Sequence, residues 1–393
     1  MPETEPLDAL VVGGGVIGLS VAWRAAAAGL SVAVVDPRPG HGATWAAAGM
    51  LGPVGEAHFG EEALARANVA AARQWPAFAL DLETASSRTV GYRRSGTVMA
   101  AMDPSDRRVV DDVLGYQLSL GLSPRRLSSR ECRDLEPLLA PGIGGGADFP
   151  DDHQVDNRQL VDSLLAACRH AGVTTLEADV SAVASANGRV TGVVLGHGGT
   201  VDAGAVVIAA GCWSGRLDGL PHQLVPPVRP VKGLTLRTRA TGGMPRLTRI
   251  VRGLVHGRSC YLVPRRDGTV VIGATVEEKG FDLTVQVGAV HDLLRDARAI
   301  VPALDEYELV ETTAGLRPGS PDNAPLVGTT SMEGLIMATG HYRNGILLAP
   351  VTADAVVALL EGRPMREFML PFGPDRFAAP AGVGESGRNR VRT

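Results

Sequence analysis

The sequence predicts an α/β fold: a discontinuous domain wound around a largely parallel sheet, carrying an inserted second domain of antiparallel strands. Three observations lead there. Residues 7–35 read as strand, glycine turn, helix and strand, the βαβ pattern. Two later apolar runs, Val206–Ala210 and Ile336–Thr339, also end at glycine (Gly211 and Gly340), as further parallel strands of such a sheet would. Between about 224 and 276 the pattern changes to strands with polar turns, among them Asp267-Gly268, a strong hairpin signal.

The elements follow in order. Leu7–Val12 is a buried strand, Leu19–Ala28 an alanine-rich helix ended by Gly29, and Ser31–Val35 a second buried strand. Gly40–Gly52 is a run of small residues where backbone can lie close to a planar ligand. Residues 61–140 read as mostly helical around a strand at Tyr92–Met102, and Gly142–Gly146 as a turn-rich joint near a domain boundary. A helix over Gln159–Ala171 and strands at Thr174–Leu176, Arg189–Leu195 and Ala205–Ala210 follow. If Asp267-Gly268 is a two-residue turn, Tyr261 pairs with Ala274 and Ser259 with Val276. Helices are expected over Gly288–Ile300 and Ala349–Leu360. The expected domains are 1–85, 147–223 and 310–370 for the discontinuous one, and 86–146 and 224–309 for the inserted one. The Gly/Arg/Ser-rich residues 378–393 read as a disordered tail.

Length and composition narrow the function. At roughly 150 residues per domain, 393 residues allow two or three domains. A net charge of -4 gives no reason to expect nucleic acid or an anionic membrane as partner. Cys132, Cys168, Cys212 and Cys260 form no CxxC pattern and have no histidine cluster beside them, which argues against a zinc site and a disulfide framework and for free thiols in the cytoplasm. The apolar stretch 9–35 opens acidic, contains Arg24 and has glycines placed for a turn, so it reads as fold and not as a signal or a membrane span. Glycine, 49 of 393 residues, exceeds the usual share of roughly 7% and implies tight backbone geometry somewhere.

The sharpest local motif is Gly13-Gly14-Gly15-Val16-Ile17-Gly18, a GxGxxG that leaves a strand and opens a helix. Gly13 suits the tight turn, Gly15 lets the main chain approach a pyrophosphate, Gly18 lets helix pack on sheet, and the helix N-terminus favours the phosphate charge. Asp36 ends the next strand, where its carboxylate can accept hydrogen bonds from ribose hydroxyls. This predicts a dinucleotide without deciding between FAD and NAD.

The fingerprint, together with ATWAAAGML, VVIAAGCWS, CYLVPRRDGTVVIGATVEE, AGLRPGSPDNAPLVG and ATGHYRNGILLAPVTAD, resembles the FAD-dependent amino acid oxidases, and among them the glycine oxidase group of thiamine biosynthesis. The similarity runs from about Leu7 to Arg363. It implies an FAD-binding Rossmann-like domain with an inserted substrate domain, FAD held without a covalent bond, a small amino acid or amine as substrate, molecular oxygen as acceptor, and a homo-oligomer, with a tetramer as the suggested state.

The resemblance also implies roles. Arg317 matches the arginine that forks onto the substrate carboxylate, a planar anion that suits a guanidinium. Tyr261 matches the tyrosine that assists it, and Arg343 an arginine that also reaches the ligand. Ser259, Val276 and Met50 match substrate-side positions. Val16, Ile17, Pro37, Ala43, Thr44, Ala48, Gly49, Met50, Val180 and Gly211 match cofactor-side positions, as does His341-Tyr342-Arg343-Asn344-Gly345-Ile346-Leu347, whose turn can offer N–H groups to the flavin's pyrimidine edge. Trp45, Ser259, Val276 and Leu234 depart from the group's pattern in ways that bear on substrate size. Lys232 reads as a solvated loop lysine, Asp151-Asp152-His153 as a polar loop, and Cys212 and Cys260 as packing thiols. The reaction implied is oxidation of glycine to glyoxylate and ammonia with hydrogen peroxide as coproduct, the imine feeding thiazole assembly. Sarcosine or a small D-amino acid, a dehydrogenase of the same family, and a redox-silent FAD-binding subunit of an oxidase complex remain alternatives.

Overall fold

The computed structural model describes residues 7–377, so the tail expected at 378–393 lies outside the described residues. Two eight-stranded sheets organise them. In the first, Thr174–Leu176, Val32–Val35, Leu7–Val12, Gly199–Ile208 and Leu335–Thr339 are parallel neighbours, and Leu326–Thr329 closes one edge antiparallel. The chain leaves Leu7–Val12 toward one side and later returns Gly199–Ile208 to the other, so the turn after Val12 sits at a topological switch point. Helices Val16–Ala27, Glu62–Ser86, Asn157–His170 and Gly345–Leu360 cover one face in a single apolar cluster. An antiparallel extension of Gly199–Ile208 with Arg189–Leu195 and Val180–Ala186 packs its apolar side chains on the other face. Burial on both faces explains why Leu7–Val12 and Val32–Val35 read as unbroken apolar runs.

The second sheet runs Glu308–Gly319, Arg229–Arg239, Thr269–Gly273, Arg258–Pro264, Ile250–Val255, Thr97–Ala101, Gly145–Phe149 and Arg125–Leu127. It is antiparallel except where Ile250–Val255 meets Thr97–Ala101. Helix Val287–Ile300 lies against it, placing Leu293, Ala297 and Ile300 among Leu236, Leu262 and Ile272.

Three local expectations change. The glycine-rich stretch read as a joint ends in a buried strand, Gly145–Phe149, paired on both sides. Its glycines serve close approach: a Cβ on Gly146 would stand 1.8 Å from the Met99 carbonyl oxygen. The hairpin register also moves by one. Arg265 N–H donates to Thr269 O at 2.7 Å, and Gly268 takes φ +89°, so Arg266, Asp267 and Gly268 form a three-residue loop. Tyr261 therefore pairs with Gly273, not Ala274, and the strand ends at Gly273 before any partner for Ser259. Glu308–Gly319, which carries Arg317, is wholly in the second sheet, so the boundary expected at 310 falls inside that strand.

Candidate active site

The glycine turn is fixed by backbone contact. Gly13 takes φ +107°, and a Cβ there would lie 2.4 Å from the Ala209 carbonyl oxygen. On Gly18 it would lie 1.8 Å from the Gly13 carbonyl oxygen. Gly15 differs: its Cβ would meet only Thr44 Oγ1, at an ordinary 3.5 Å. The protein itself leaves room at Gly15, and what a side chain would obstruct there is a ligand drawn up to the main chain. The Asp36 carboxylate accepts hydrogen bonds from Gly14 N (2.7 Å) and Arg38 N (2.7 Å), so it braces the turn as well as facing outward from it. Thr44 Oγ1 accepts from Val16 N at 3.1 Å, tying the small-residue segment to the first turn of the helix.

Two helices open toward this region without a side-chain cap or an acidic residue in the first turn: Val16–Ala27 after Gly15, and Gly345–Leu360 after Asn344. Pro104–Ser119, Ser129–Leu135 and Asn157–His170 elsewhere are capped by Asp103, Ser128 and Asp156. Val16 N is taken by Thr44 Oγ1, but the remaining first-turn N–H groups suit a phosphate at Val16–Ala27 and an electron-rich ring edge at Gly345–Leu360. The residue set thus fits a flavin dinucleotide, with Gly13, Gly15, Val16, Ile17, Gly18 and Asp36 at the phosphate and ribose end and His341–Leu347 at the other.

The remaining cofactor-side positions fall as follows. Pro37 is exposed beside Asp36, and Ala43 and Thr44 open the short helix Ala43–Ala46. Ala48 is buried, and Gly49 turns with φ +71° where a Cβ would strike Val155 O at 2.0 Å. Val180 starts its strand and packs in the cluster that holds Val12 and Val35. Gly211 opens a 3-10 turn, its carbonyl accepting from Thr339 Oγ1 at 3.1 Å. His341 is buried, its Nε2 3.0 Å from Thr352 Oγ1, and burial holds its imidazole down at about 3, so it is neutral at ordinary pH. Tyr342 takes φ +46° and its N–H donates to Pro318 O at 2.9 Å, joining this turn to the end of the arginine strand. Ile346 and Leu347 are buried, and Leu347 O accepts from Trp75 Nε1 at 2.9 Å.

Of the positions implied for the substrate, Arg317 and Tyr261 lie beside one another. The Arg317 guanidinium lies over Gly233, where a Cβ would be only 2.3 Å from Nη1, and Nη1 donates to Thr275 O at 3.1 Å. Tyr261 projects over Gly273 in the same way, a Cβ there meeting the ring and its OH at 2.3 Å. Burial pushes the Tyr261 phenol up, while the neighbouring, hydrogen-bonded Arg317 pulls it back. Met50 shares the apolar cluster against which Tyr261 packs. Ser259 lies on the Tyr261 face of its strand and is exposed, and Val276 is 66% exposed. Trp45 and Leu234 are engaged elsewhere: His41 stacks on the indole at 4.9 Å and Arg158 lies 4.0 Å over it, while Leu234 sits in the core under Val287–Ile300. Lys232, expected in solvent, is 1% exposed: it lies in a strand, paired with Leu316 on one side and bridged to Glu277 on the other. Its Nζ donates to Thr284 O at 2.6 Å and lies 3.6 Å from Glu277. Cys212 and Cys260 are buried thiols pushed up to about 12 by burial.

Four further residues shape this pocket. Glu56 lies 2.9 Å from Arg252 Nη1 and 3.7 Å from Arg343 Nε. Burial works to raise the Glu56 carboxyl, but Arg252, Arg343, His58 and Arg317 outweigh it and hold it below the ordinary glutamate value. Arg252 also donates to Gly55 O. Asp152, read as part of a polar loop, is buried and accepts from Val54 N at 3.0 Å and Gly55 N at 2.8 Å. Burial, helped by Glu56, pushes it up to about 7 against those two N–H groups. Gln117 Nε2 donates to Val54 O at 2.8 Å. The only sequence signal for this set was Gly52 and Gly55 flanking a short segment ending in Glu56.

The chain matches the family described as FAD dependent oxidoreductase over residues 8–359. It is 33% identical to a glycine oxidase of Geobacillus kaustophilus, covering 97% of this chain and 100% of that one. It is 30% identical to the hydrogen cyanide synthase subunit HcnC of Pseudomonas aeruginosa, covering 96% and 98%. It is 32% identical to a bifunctional protein ThiO/ThiG of Trichormus variabilis over 95% of this chain, and it spans 56% of that longer protein. A crystal structure of the Geobacillus kaustophilus glycine oxidase superposes with a TM-score of 0.87 at 31% identity, over 96% of this chain and 100% of that one.

Proposed function

The chain belongs to the FAD dependent oxidoreductase family, is an enzyme of that family and uses FAD, and from that premise we propose that it oxidises glycine, with sarcosine or a small D-amino acid as secondary substrates. The observation that carries the reading is Arg317 lying beside Tyr261 from a separate strand while donating to no carboxylate among the described residues. FAD, when bound, takes two electrons and a proton from the substrate α-carbon and delivers them to oxygen. The chain's own residues do the positioning. The Arg317 fork and the Tyr261 hydroxyl hold the carboxylate, and charge-assisted bonds of roughly 1.5–3 kcal/mol each suffice for so small a ligand. Met50 and the Tyr261 ring exclude water beside it, and orientation supplies most of the rate. The oxidised amino acid leaves as an imine, which water converts to glyoxylate and ammonia, or which passes to thiazole assembly for thiamine.

The first sheet with its helices is then the cofactor domain and the second sheet the substrate domain. The described cysteines are all buried and unpaired, which supports a reducing compartment such as the cytoplasm. Among the described residues no helix is long and apolar enough to cross a membrane. A homo-oligomer is part of the same proposal.

The test is to identify the extracted cofactor, bleach the holoenzyme anaerobically with glycine, sarcosine, D-alanine and proline, and measure peroxide on reoxidation. Arg317→Ala is expected to keep FAD and to raise the glycine KM at least about a hundredfold. Bleaching by no amine would favour the redox-silent subunit, and unaltered kinetics in Arg317→Ala would defeat the carboxylate assignment.

A further inference from the structure

Three guanidinium groups converge on the pocket from different strands and turns, and two glutamates answer them. Arg252 Nη1 is 2.9 Å from Glu56 Oε1. Arg343 stands between Glu56 Oε2, 3.7 Å from its Nε, and Glu61 Oε2, 3.5 Å from its Nη2. Glu61 is itself held by Asn323 Nδ2, which donates to Oε1 at 2.9 Å. Arg317 alone of the three has no carboxylate within salt-bridge distance among the described residues; its Nη1 donates to Thr275 O at 3.1 Å and its charge acts on the nearby Tyr261 phenol. Among these five groups one guanidinium, that of Arg317, has no carboxylate partner, and it stands where a substrate carboxylate is proposed to dock.

Glu56 cannot swing out of this arrangement cheaply. Its segment is tied on three sides by buried or half-buried polar side chains: Asp152 accepts from Val54 N and Gly55 N, Gln117 donates to Val54 O, and Arg252 donates to Gly55 O. Glu56 also lies close enough to Tyr261 and Arg317 for its charge to act on both.

We propose that Glu56 is a specificity-determining residue: by pairing with Arg252 and, together with Glu61, with Arg343 it leaves a site that accepts amines bearing one carboxylate and rejects those bearing a second anionic group. The proposal rests on the oxidase reading above and deepens it. A second carboxylate entering beside the amine would meet Glu56 and Glu61 instead of a free guanidinium. It would either sit against like charge in a partly desolvated pocket or have to break an existing ion pair, and such juxtapositions cost several kcal/mol. On this proposal Arg252 and Arg343 face a second anion already accompanied by carboxylates, while the role at the ligand that the resemblance implies for Arg343 concerns the single carboxylate.

Sarcosine and iminodiacetate test this cleanly, because they share the N-substituted glycine core and differ by one carboxylate. The wild-type holoenzyme is expected to favour sarcosine by at least about a hundredfold in kcat/KM. Glu56→Gln, nearly isosteric, is expected to shrink that preference by at least about tenfold through a lower KM for iminodiacetate, while Glu56→Asp keeps most of it. Equal use of both amines by the wild type, or an unchanged ratio in Glu56→Gln, overturns the proposal. A second measurement stands apart from turnover and from the folding of any variant: titrating the wild-type holoenzyme with methoxyacetate and oxydiacetate, the non-oxidisable ether counterparts, while following the flavin absorbance. Methoxyacetate binding at least about tenfold tighter supports the charge rule even if no amine is oxidised, which would sink the oxidase reading alone; equal or reversed affinities overturn the rule, and binding of neither overturns both.

Discussion

The glycine turn at one end of the site and the ion-paired pocket at the other are held by opposite means. In the turn, backbone presses on backbone: Gly18 has no room for a Cβ because the Gly13 carbonyl oxygen would be 1.8 Å away, and Gly13 none because of Ala209. The constraint is steric and lies mostly within six consecutive residues. In the pocket, the fixed positions of Arg317, Tyr261, Glu56, Arg252, Asp152 and Arg343 come from six separate stretches of chain, and what fixes them is hydrogen bonding and charge. A steric requirement writes itself into local sequence as glycine. An electrostatic one writes only a charged residue, which looks like any other until its partner is seen.

The largest effect expected falls on the steric side. Gly18→Ala puts a methyl into the Gly13 carbonyl, which must shift backbone at the heart of the first sheet, and little folded protein with bound flavin is expected on expression. Gly15→Ala sharpens the contrast, because its methyl meets only Thr44 at 3.5 Å. The apo-protein should melt within a degree or two of wild type, and flavin affinity should fall at least about tenfold, read by fluorescence quenching on titration with FAD. If Gly15→Ala instead unfolds the protein and binds flavin normally when rescued, the division between structural and ligand-facing glycines is wrong.

The electrostatic side breaks more gradually. Asp152→Ala strands Val54 N and Gly55 N in a buried setting, a loss of about 1–3 kcal/mol per unpaired group, and frees the segment that carries Glu56. The expected result is a lower melting temperature together with a rise in KM for glycine that exceeds the fall in kcat, since orientation of the ligand suffers before chemistry does. Asp152→Asn, which keeps one carbonyl oxygen as acceptor, should restore part of both. Its pH behaviour separates the two roles of the carboxyl. A group raised to about 7 in the fold from 3.8 contributes stability that is complete below the unfolded value and lost as the pH climbs to about 7, so wild type should show a downward stability slope between about pH 4 and pH 7, flattening above it, that Asp152→Asn lacks.

The same contrast sets what was legible in the sequence. The α/β class, the glycine turn, Asp36 and the helices after Asn157 and Val287 stand where periodicity and turn residues indicate, and the resemblance pointed to Arg317, Tyr261 and Arg343. Lys232 misleads because a lysine in a polar, turn-rich region is normally solvated; here it sits within a strand between Leu316 and the segment at Glu277, and Thr284 O satisfies its head. Tyr261 was placed one residue out of register because Asp-Gly fits a two-residue turn and a three-residue loop equally well. Asp152 does lie in a loop, but its burial is not legible because its partners, two backbone N–H groups, carry no residue identity at all.

His341 offers the gentlest way to probe the boundary between the two regimes, for it belongs to the flavin-side turn and yet is held by burial and one hydrogen bond to Thr352. Its imidazole sits at about 3 in the fold against 6.5 for the free side chain, so the unfolded chain takes up a proton that the folded chain refuses. Stability from this group is complete above pH 6.5 and declines as the pH falls, by about 2 kcal/mol at pH 5. His341→Asn removes the titration while leaving a side chain that can still bond to Thr352. Denaturant unfolding of the two holoenzymes at pH 7.5 and pH 5 should therefore show the variant weaker at the higher pH and losing less on acidification. Parallel losses in both proteins would mean that the imidazole is protonated in the fold, and the turn that opens the last helix would then carry a positive charge facing the cofactor, a different electrostatic design from the neutral one described.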